Sequence, residues 1–139
     1  LNRRRWNGRV GWGPRFPDWE STLESHTLLQ FNAFQWLSCT ESILREWPSI
    51  PGDRKLELRY EQMVTDGPEA IDRVLDFLGL KADRNFYERI PKLNRGNSGK
   101  WREGFTLEQA AQIAPIITPL LCSADYESDP EWYSQLKAE

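Results

Sequence analysis

The chain has 139 residues, with 18 Lys+Arg against 21 Asp+Glu, a formal net charge of −3 and a hydrophobic fraction of 39%. That is one domain's worth of chain, well above the disordered class in apolar content, and no uncharged run reaches the length a membrane-spanning helix needs. The two cysteines (Cys39 and Cys122) form no CxxC pair, and with one histidine (His26) they fall short of a zinc ligand set, so no metal is expected.

Both cysteines sit in apolar helical patterns, which favours reduced core thiols and a reducing, cytoplasmic setting. Seven Trp, large amphipathic side chains, argue for a folded protein with aromatic-lined surfaces. The start, LNRRRWNGR, is basic with no apolar stretch behind it, unlike a signal peptide, and it lacks an initiating Met; part of a longer protein is the expectation. Charge is uneven. Arg3, Arg4, Arg5, Arg9 and Arg15 come with no acid among them, and Lys92, Arg95, Lys100 and Arg102 form a second acid-free basic window. Basic patches beside Gly and Trp suit anionic ligands such as phosphate, nucleotide or nucleic acid; a solvated surface face is the plainer reading.

In chain order, residues 1–17 read as irregular because Gly8, Gly11, Gly13, Pro14 and Pro17 break any regular element, with Trp6, Trp12 and Phe16 as anchors. One long helix is expected from Trp19 to Glu46, N-capped by Asp18 or Ser21, with Leu29, Ala33, Trp36, Leu37, Thr40, Ile43, Leu44 and Trp47 on one face. Pro48 and Pro51-Gly52 end it. Lys55 to Tyr60 alternates apolar and polar and reads as the one clear strand, about 55–60, which must find a partner because a lone strand leaves its backbone groups unpaired. Gly67-Pro68 opens a helix closed by Gly79, with Ile71, Val74, Leu75 and Leu78 as its apolar face. A short helix spans Asp83 to Ile90. Thr106-x-x-Gln109 is a capping box for a last helix running to about Leu121, which Pro115 and Pro119 should kink or shorten. Tyr126, Trp132 and Tyr133 are expected to fold back onto the core. The fragment therefore reads as predominantly α-helical with one strand.

Two segments carry chemistry. The first runs Leu58-Arg59-Tyr60-Glu61-Gln62-Met63, then Pro68, then Val74 to Gly79. The second is Asn94-Arg95-Gly96-Asn97-Ser98-Gly99-Lys100-Trp101-Arg102, then Phe105-Thr106. In the second, Gly96 and Gly99 permit positive φ, successive N–H groups can form an anion-binding nest, and Arg95, Lys100 and Arg102 add charged donors. It leads into a helix N-terminus, itself favourable to anions. The GxxxxGK[ST] spacing of a Walker P-loop is absent.

Taken together, in this order, these segments resemble the sulfotransferase family. RYEQMVTDGPEAIDRVLDFLGL is similar to that family's R-Y-E-D-L/M … P … F-L-G block, NRGNSGKWREGFT to its R-K-G-x-x-G-x-W-K … F-T loop, and LLCSADYESDPEW to its close; the resemblance spans about residues 30–135. It implies an α/β fold, a P-loop-like parallel sheet with flanking helices, of which residues 1–139 would be the C-terminal part, without the N-terminal 5′-phosphosulfate-binding part. It implies 3′-phosphoadenosine 5′-phosphosulfate as cofactor and transfer of its sulfuryl group to a hydroxyl or amine. Tyr60 stands where the family's Tyr approaches adenine, and Arg95 and Gly96 where its loop meets the 3′-phosphate. Asn94 replaces that loop's first Arg, a loss that Lys100 or Arg102 would have to make good; Trp101 matches the motif Trp.

The catalytic base is not identified, and His26 lies downstream of where the family places one. This chain alone is therefore expected to be inactive. The acceptor could be a small molecule, a carbohydrate or a peptide, with the Arg- and Trp-rich segment from Leu1 to Trp19 as its candidate surface. The unpaired strand predicts a dimer or swapped assembly. The rival readings are a non-catalytic nucleotide- or nucleic-acid-binding module, against which the net charge counts, and a helical protein-interaction domain.

Overall fold

The computed structural model of the chain describes residues 13–83, 85–89 and 99–136. The chain divides into two compact units, Leu1–Glu46 with Thr106–Glu139, and Trp47–Phe105. All regular elements among the described residues are helical: α1 (Trp19–Ser25), α2 (Leu28–Glu46), α3 (Tyr60–Thr65), α4 (Gly67–Leu78), α5 (Phe86–Arg89), α6 (Trp101–Gly104) and α7 (Leu107–Ser123), with short 3-10 turns at Trp47–Ser49, Gly52–Arg54 and Trp132–Gln135.

In the first unit the expected long helix is two helices. The chain breaks at His26, which is extended (φ −125°, ψ 162°). The break is written in Thr27-Leu28-Leu29-Gln30. Gln30 Oε1 accepts from the Thr27 N–H at 3.1 Å and Thr27 Oγ1 accepts from the Gln30 N–H at 3.3 Å, a capping box that starts α2 afresh. Asp18 does precede α1, but with φ 58° and no side-chain cap; its carbonyl instead accepts from Ser21 Oγ, Thr22 Oγ1 and the Thr22 N–H. α2 packs on α7. Phe31 and Ala33 from α2 and Ala110, Ile113, Ala114 and Leu120 from α7 are buried, each large side chain contributing about 1.5–3 kcal/mol. The expected apolar face of α2 is only partly used, since Trp36 (41% exposed), Ile43 and Leu44 point to solvent. Three small buried alanines, Ala33 on α2 and Ala110 and Ala114 on α7, let the two helices approach.

α7 begins at the expected capping box, with Thr106 Oγ1 accepting from the Gln109 N–H and Gln109 Oε1 from the Thr106 N–H. It runs through both prolines to Ser123 rather than being shortened. Pro115 and Pro119 lie four apart on the exposed side, and the carbonyls they leave without a donor belong to Ala111 and Pro115, both exposed, so water can satisfy them. Trp132 folds back as expected, buried and donating from Nε1 to Thr118 Oγ1 at 2.9 Å, whereas Tyr126 stays 54% exposed. Cys39 and Cys122 are free and half-buried.

In the second unit the Lys55-to-Tyr60 strand is not formed. Lys55 and Arg59 have extended backbones, but no ladder pairs with them among the described residues, and Tyr60 is already the first residue of α3. Alternation gave the segment its extended shape and its half-buried Leu56 and Leu58. A strand also needs a second backbone to satisfy it, and none of the described segments supplies one. The dimer expected from an unpaired strand loses that premise. Instead, Arg73 Nη2 from α4 donates to the Glu57 carbonyl at 3.1 Å, and Lys55 Nζ donates to the Trp47 carbonyl at 2.6 Å while lying over the Trp47 ring. α4 starts and ends as expected, with Pro68 in its first turn and Gly79 at φ 65° closing a Schellman turn in which the Leu80 N–H donates to Leu75 O. Ala70 is its buried residue; Leu78 is exposed. α5 is a single turn, shorter than expected.

Candidate functional site

The residues that the sequence singles out for cofactor binding fall in the second unit. Tyr60 opens α3 with its ring 44% exposed. Lys100, Trp101 and Arg102 sit together on the turn into α6. Arg95 and Gly96, with Asn94, lie outside the described residues. Lys100, Trp101 and Arg102 are neighbours on one turn, where the Arg102 guanidinium lies over the Trp101 ring.

The turn is built on Gly99. Its φ of 80° is left-handed, and Lys100 follows in the right-handed helical region (φ −58°, ψ −24°). That αL–αR sequence turns successive N–H groups toward one side. The Gly99 carbonyl accepts from the Arg102 N–H at 3.0 Å and the Lys100 carbonyl from the Glu103 N–H at 3.1 Å, which closes the turn. Arg102 then folds back. Its Cζ lies 4.5 Å from the centroid of the Trp101 ring, and a Cβ on Gly99 would sit 3.2 Å from its Nη1. Gly99 is thus favoured for its φ, and a Cβ there would also nudge the guanidinium. Trp101 (40% exposed) serves as the platform for Arg102, while Lys100 and Arg102 are both exposed. Two cations with all their side-chain donors on one short turn can hold an oxyanion. The start of α7 is less available than expected, because its capping box already uses the Thr106 and Gln109 N–H groups.

In the first unit, His26 is an exposed helix-end residue. Its Nδ1 lies 2.9 Å from Ser25 Oγ and 3.2 Å from Thr22 O, and its ring meets Phe34 edge-on. Of the candidate acceptor segment, Leu1 to Trp12 lies outside the described residues. Its described end, Gly13 to Trp19, is fastened to α2. Gln35 Nε2 donates to the Pro14 carbonyl at 2.6 Å, the Phe16 ring packs 5.6 Å from that of buried Phe31, and the Arg15 guanidinium lies over Trp19. The Gln35 clamp spans 21 positions and has no local signal; Arg15 and Trp19 are an (i, i+4) pair that the sequence does offer. No cluster of His, Cys, Asp and Glu able to hold a metal ion occurs among the described residues, and no described helix is long and apolar enough to cross a membrane.

Comparison with known proteins agrees with the resemblance. No curated protein and no solved structure matches the chain. Residues 16–84 match the model of the sulfotransferase family. The matched stretch begins at Phe16, upstream of the expected span. It takes in α1 to α4 and the whole Arg59-to-Leu80 block, and it stops before the Gly99 turn. Over residues 16–84, this chain is similar to the sulfotransferase family.

Proposed function

We propose that this chain is part of an enzyme that transfers a sulfuryl group from 3′-phosphoadenosine 5′-phosphosulfate to a hydroxyl or amine acceptor. In this reading Lys100 and Arg102 take the nucleotide's 3′-phosphate together with Arg95 and Gly96, Trp101 orients Arg102, and Tyr60 approaches the adenine. The observation that carries it is the family match over residues 16–84, which contains the Arg-Tyr-Glu block. The Gly99 turn supports it independently. Its donor set suits a phosphate monoester, since Arg102 offers a planar fork and Lys100 a compact point charge. When bound, the nucleotide would supply the activated sulfuryl group. The residues of this chain would contribute charge neutralisation at the 3′ end and orientation, not the proton transfer at the acceptor.

The test is the melting temperature of the intact protein with and without 3′-phosphoadenosine 5′-phosphate. The nucleotide should raise it. Arg102→Ala and Arg95→Ala should each weaken binding by about 1–3 kcal/mol, the scale of a lost charge-assisted hydrogen bond. Nucleotide affinity unchanged in both variants would remove these residues from the site, and no binding to the wild type would remove the cofactor.

A further inference from the structure

We propose that Arg15, mounted on the Trp19 indole in the first unit, is a further oxyanion-binding site. The ligand it fits is a carboxylate, sulfate or phosphate group.

The mounting comes first. The residues on either side of Arg15 are both tied to α2, Pro14 through its carbonyl to Gln35 Nε2 and Phe16 through its ring to buried Phe31. The Trp19 N–H donates to the Phe16 carbonyl at 3.2 Å, a turn that brings Trp19 beneath Arg15. The guanidinium carbon then lies 4.6 Å from the indole centroid. Such a contact occupies a face of the guanidinium and leaves the N–H groups on its edge, where a planar or tetrahedral oxyanion can accept two of them at once.

The second observation is that this guanidinium pairs with no carboxylate among the described residues. Asp18 and Glu20 flank Trp19 in sequence, yet no described acid forms an ion pair with Arg15. A structural role would not call for an arginine here, because both anchors of the loop use atoms of Pro14 and Phe16. The backbone on either side is anchored and the exposed guanidinium rests on the indole, so part of the conformational cost of binding is already met. If the chain works as proposed above, this site selects acceptors that carry an anionic group of their own. That role rests on the proposed function, whereas the anion binding itself does not.

The experiment is an NMR titration of the chain with sodium sulfate, sodium phosphate and sodium acetate, each at ionic strength matched with sodium chloride. It follows the Arg15 Nε–H and Trp19 Nε1–H signals. Saturable shifts of both are expected. Arg15→Ala should weaken the fitted affinity by about tenfold or more, and Arg15→Lys should fall between, keeping the charge but losing the fork. Because neither loop anchor uses the Arg15 side chain, the Phe16 and Trp19 backbone signals should hold their positions in both variants. Saturation by sulfate and phosphate alone assigns a tetrahedral anion, and saturation by acetate as well extends the site to carboxylates. Shifts that do not saturate, or that persist in Arg15→Ala, overturn the proposal. Arg15→Ala should still bind 3′-phosphoadenosine 5′-phosphate as the wild type does, so a failure at Arg15 and a failure at the Gly99 turn are read separately.

Discussion

Replacing Gly13 by alanine should cost stability in two separable ways. Gly13 has φ 105°, a backbone conformation that a residue with a Cβ holds only at about 1–3 kcal/mol. The added Cβ would also sit 2.8 Å from Gln35 Nε2 and 3.1 Å from its Oε1. That amide is the end of a flexible side chain and can move, but moving it breaks its 2.6 Å hydrogen bond to the Pro14 carbonyl, a further loss of about 1 kcal/mol. Gly13→Ala should therefore destabilise by about 2–4 kcal/mol. Gln35→Ala alone should cost about 1 kcal/mol through that hydrogen bond. In the double variant the hydrogen bond is lost only once, so the total should fall short of the sum of the singles by about 1 kcal/mol, while the backbone cost remains. Urea unfolding of the four proteins measures each quantity, with unchanged m-values as the check that all unfold alike. Strict additivity would show that the Gly13 backbone does not lie against the Gln35 amide. A Gly13→Ala variant as stable as wild type would show that the left-handed turn is not there at all.

Two further outcomes test the second unit. The Tyr87 hydroxyl donates to the Asp72 carboxylate, and that hydrogen bond, then desolvation, then the Asp72 and Asp76 charges, push its phenol above the ordinary value of 10.0. A phenol raised in the folded state adds stability that is complete below pH 10 and is lost as pH climbs through the raised value; an NMR titration should place the Tyr87 midpoint above that of an unfolded tyrosine, and Asp72→Asn should lower it, no change in the variant being the contrary result. The amides of Leu56, Glu57 and Leu58 should exchange with solvent nearly as fast as in an unfolded chain, while those of Ile113 and Ala114 are protected; strong protection at 56–58 would reveal a partner strand for that segment.

Much of the local grammar was legible because it is written in neighbouring residues. Pro68 and Gly79 bound α4, and Thr106 with Gln109 starts α7, where the structure puts them. The break at His26 was legible too. Thr27-Leu28-Leu29-Gln30 has the same form as the Thr106 box, but it lies inside a continuous run of apolar positions at spacings of three and four. Helical periodicity says which residues share a face and not whether the backbone is interrupted, and capping chemistry decides that second question. Periodicity also overcounted the core. Trp36, Ile43 and Leu44 keep the spacing of the buried residues on α2 and remain exposed, because the extent of burial depends on the area of the facing helix.

The remaining differences between pattern and structure are non-local. Alternation at 55–60 specifies an extended chain with two unlike faces, and this much the structure keeps at Lys55 and Arg59. Whether such a chain becomes a strand depends on a second backbone, which no pattern inside the segment can supply. The candidate site divides along the same line. The grouping of Lys100, Trp101 and Arg102 follows from adjacency and from one left-handed glycine, both readable in sequence. Their relation to Tyr60 spans forty residues of chain, and nothing in the local sequence specifies it. The Arg15 platform lies between these cases. The four-residue spacing from Arg15 to Trp19 is local, but a spacing of four across a loop means little until something holds the loop still. Here that is Gln35 and Phe31, presented by a helix that begins only because Thr27 caps it. The capping box that the periodicity concealed therefore sets where α2 starts, and with it which residues are in position to fix the guanidinium.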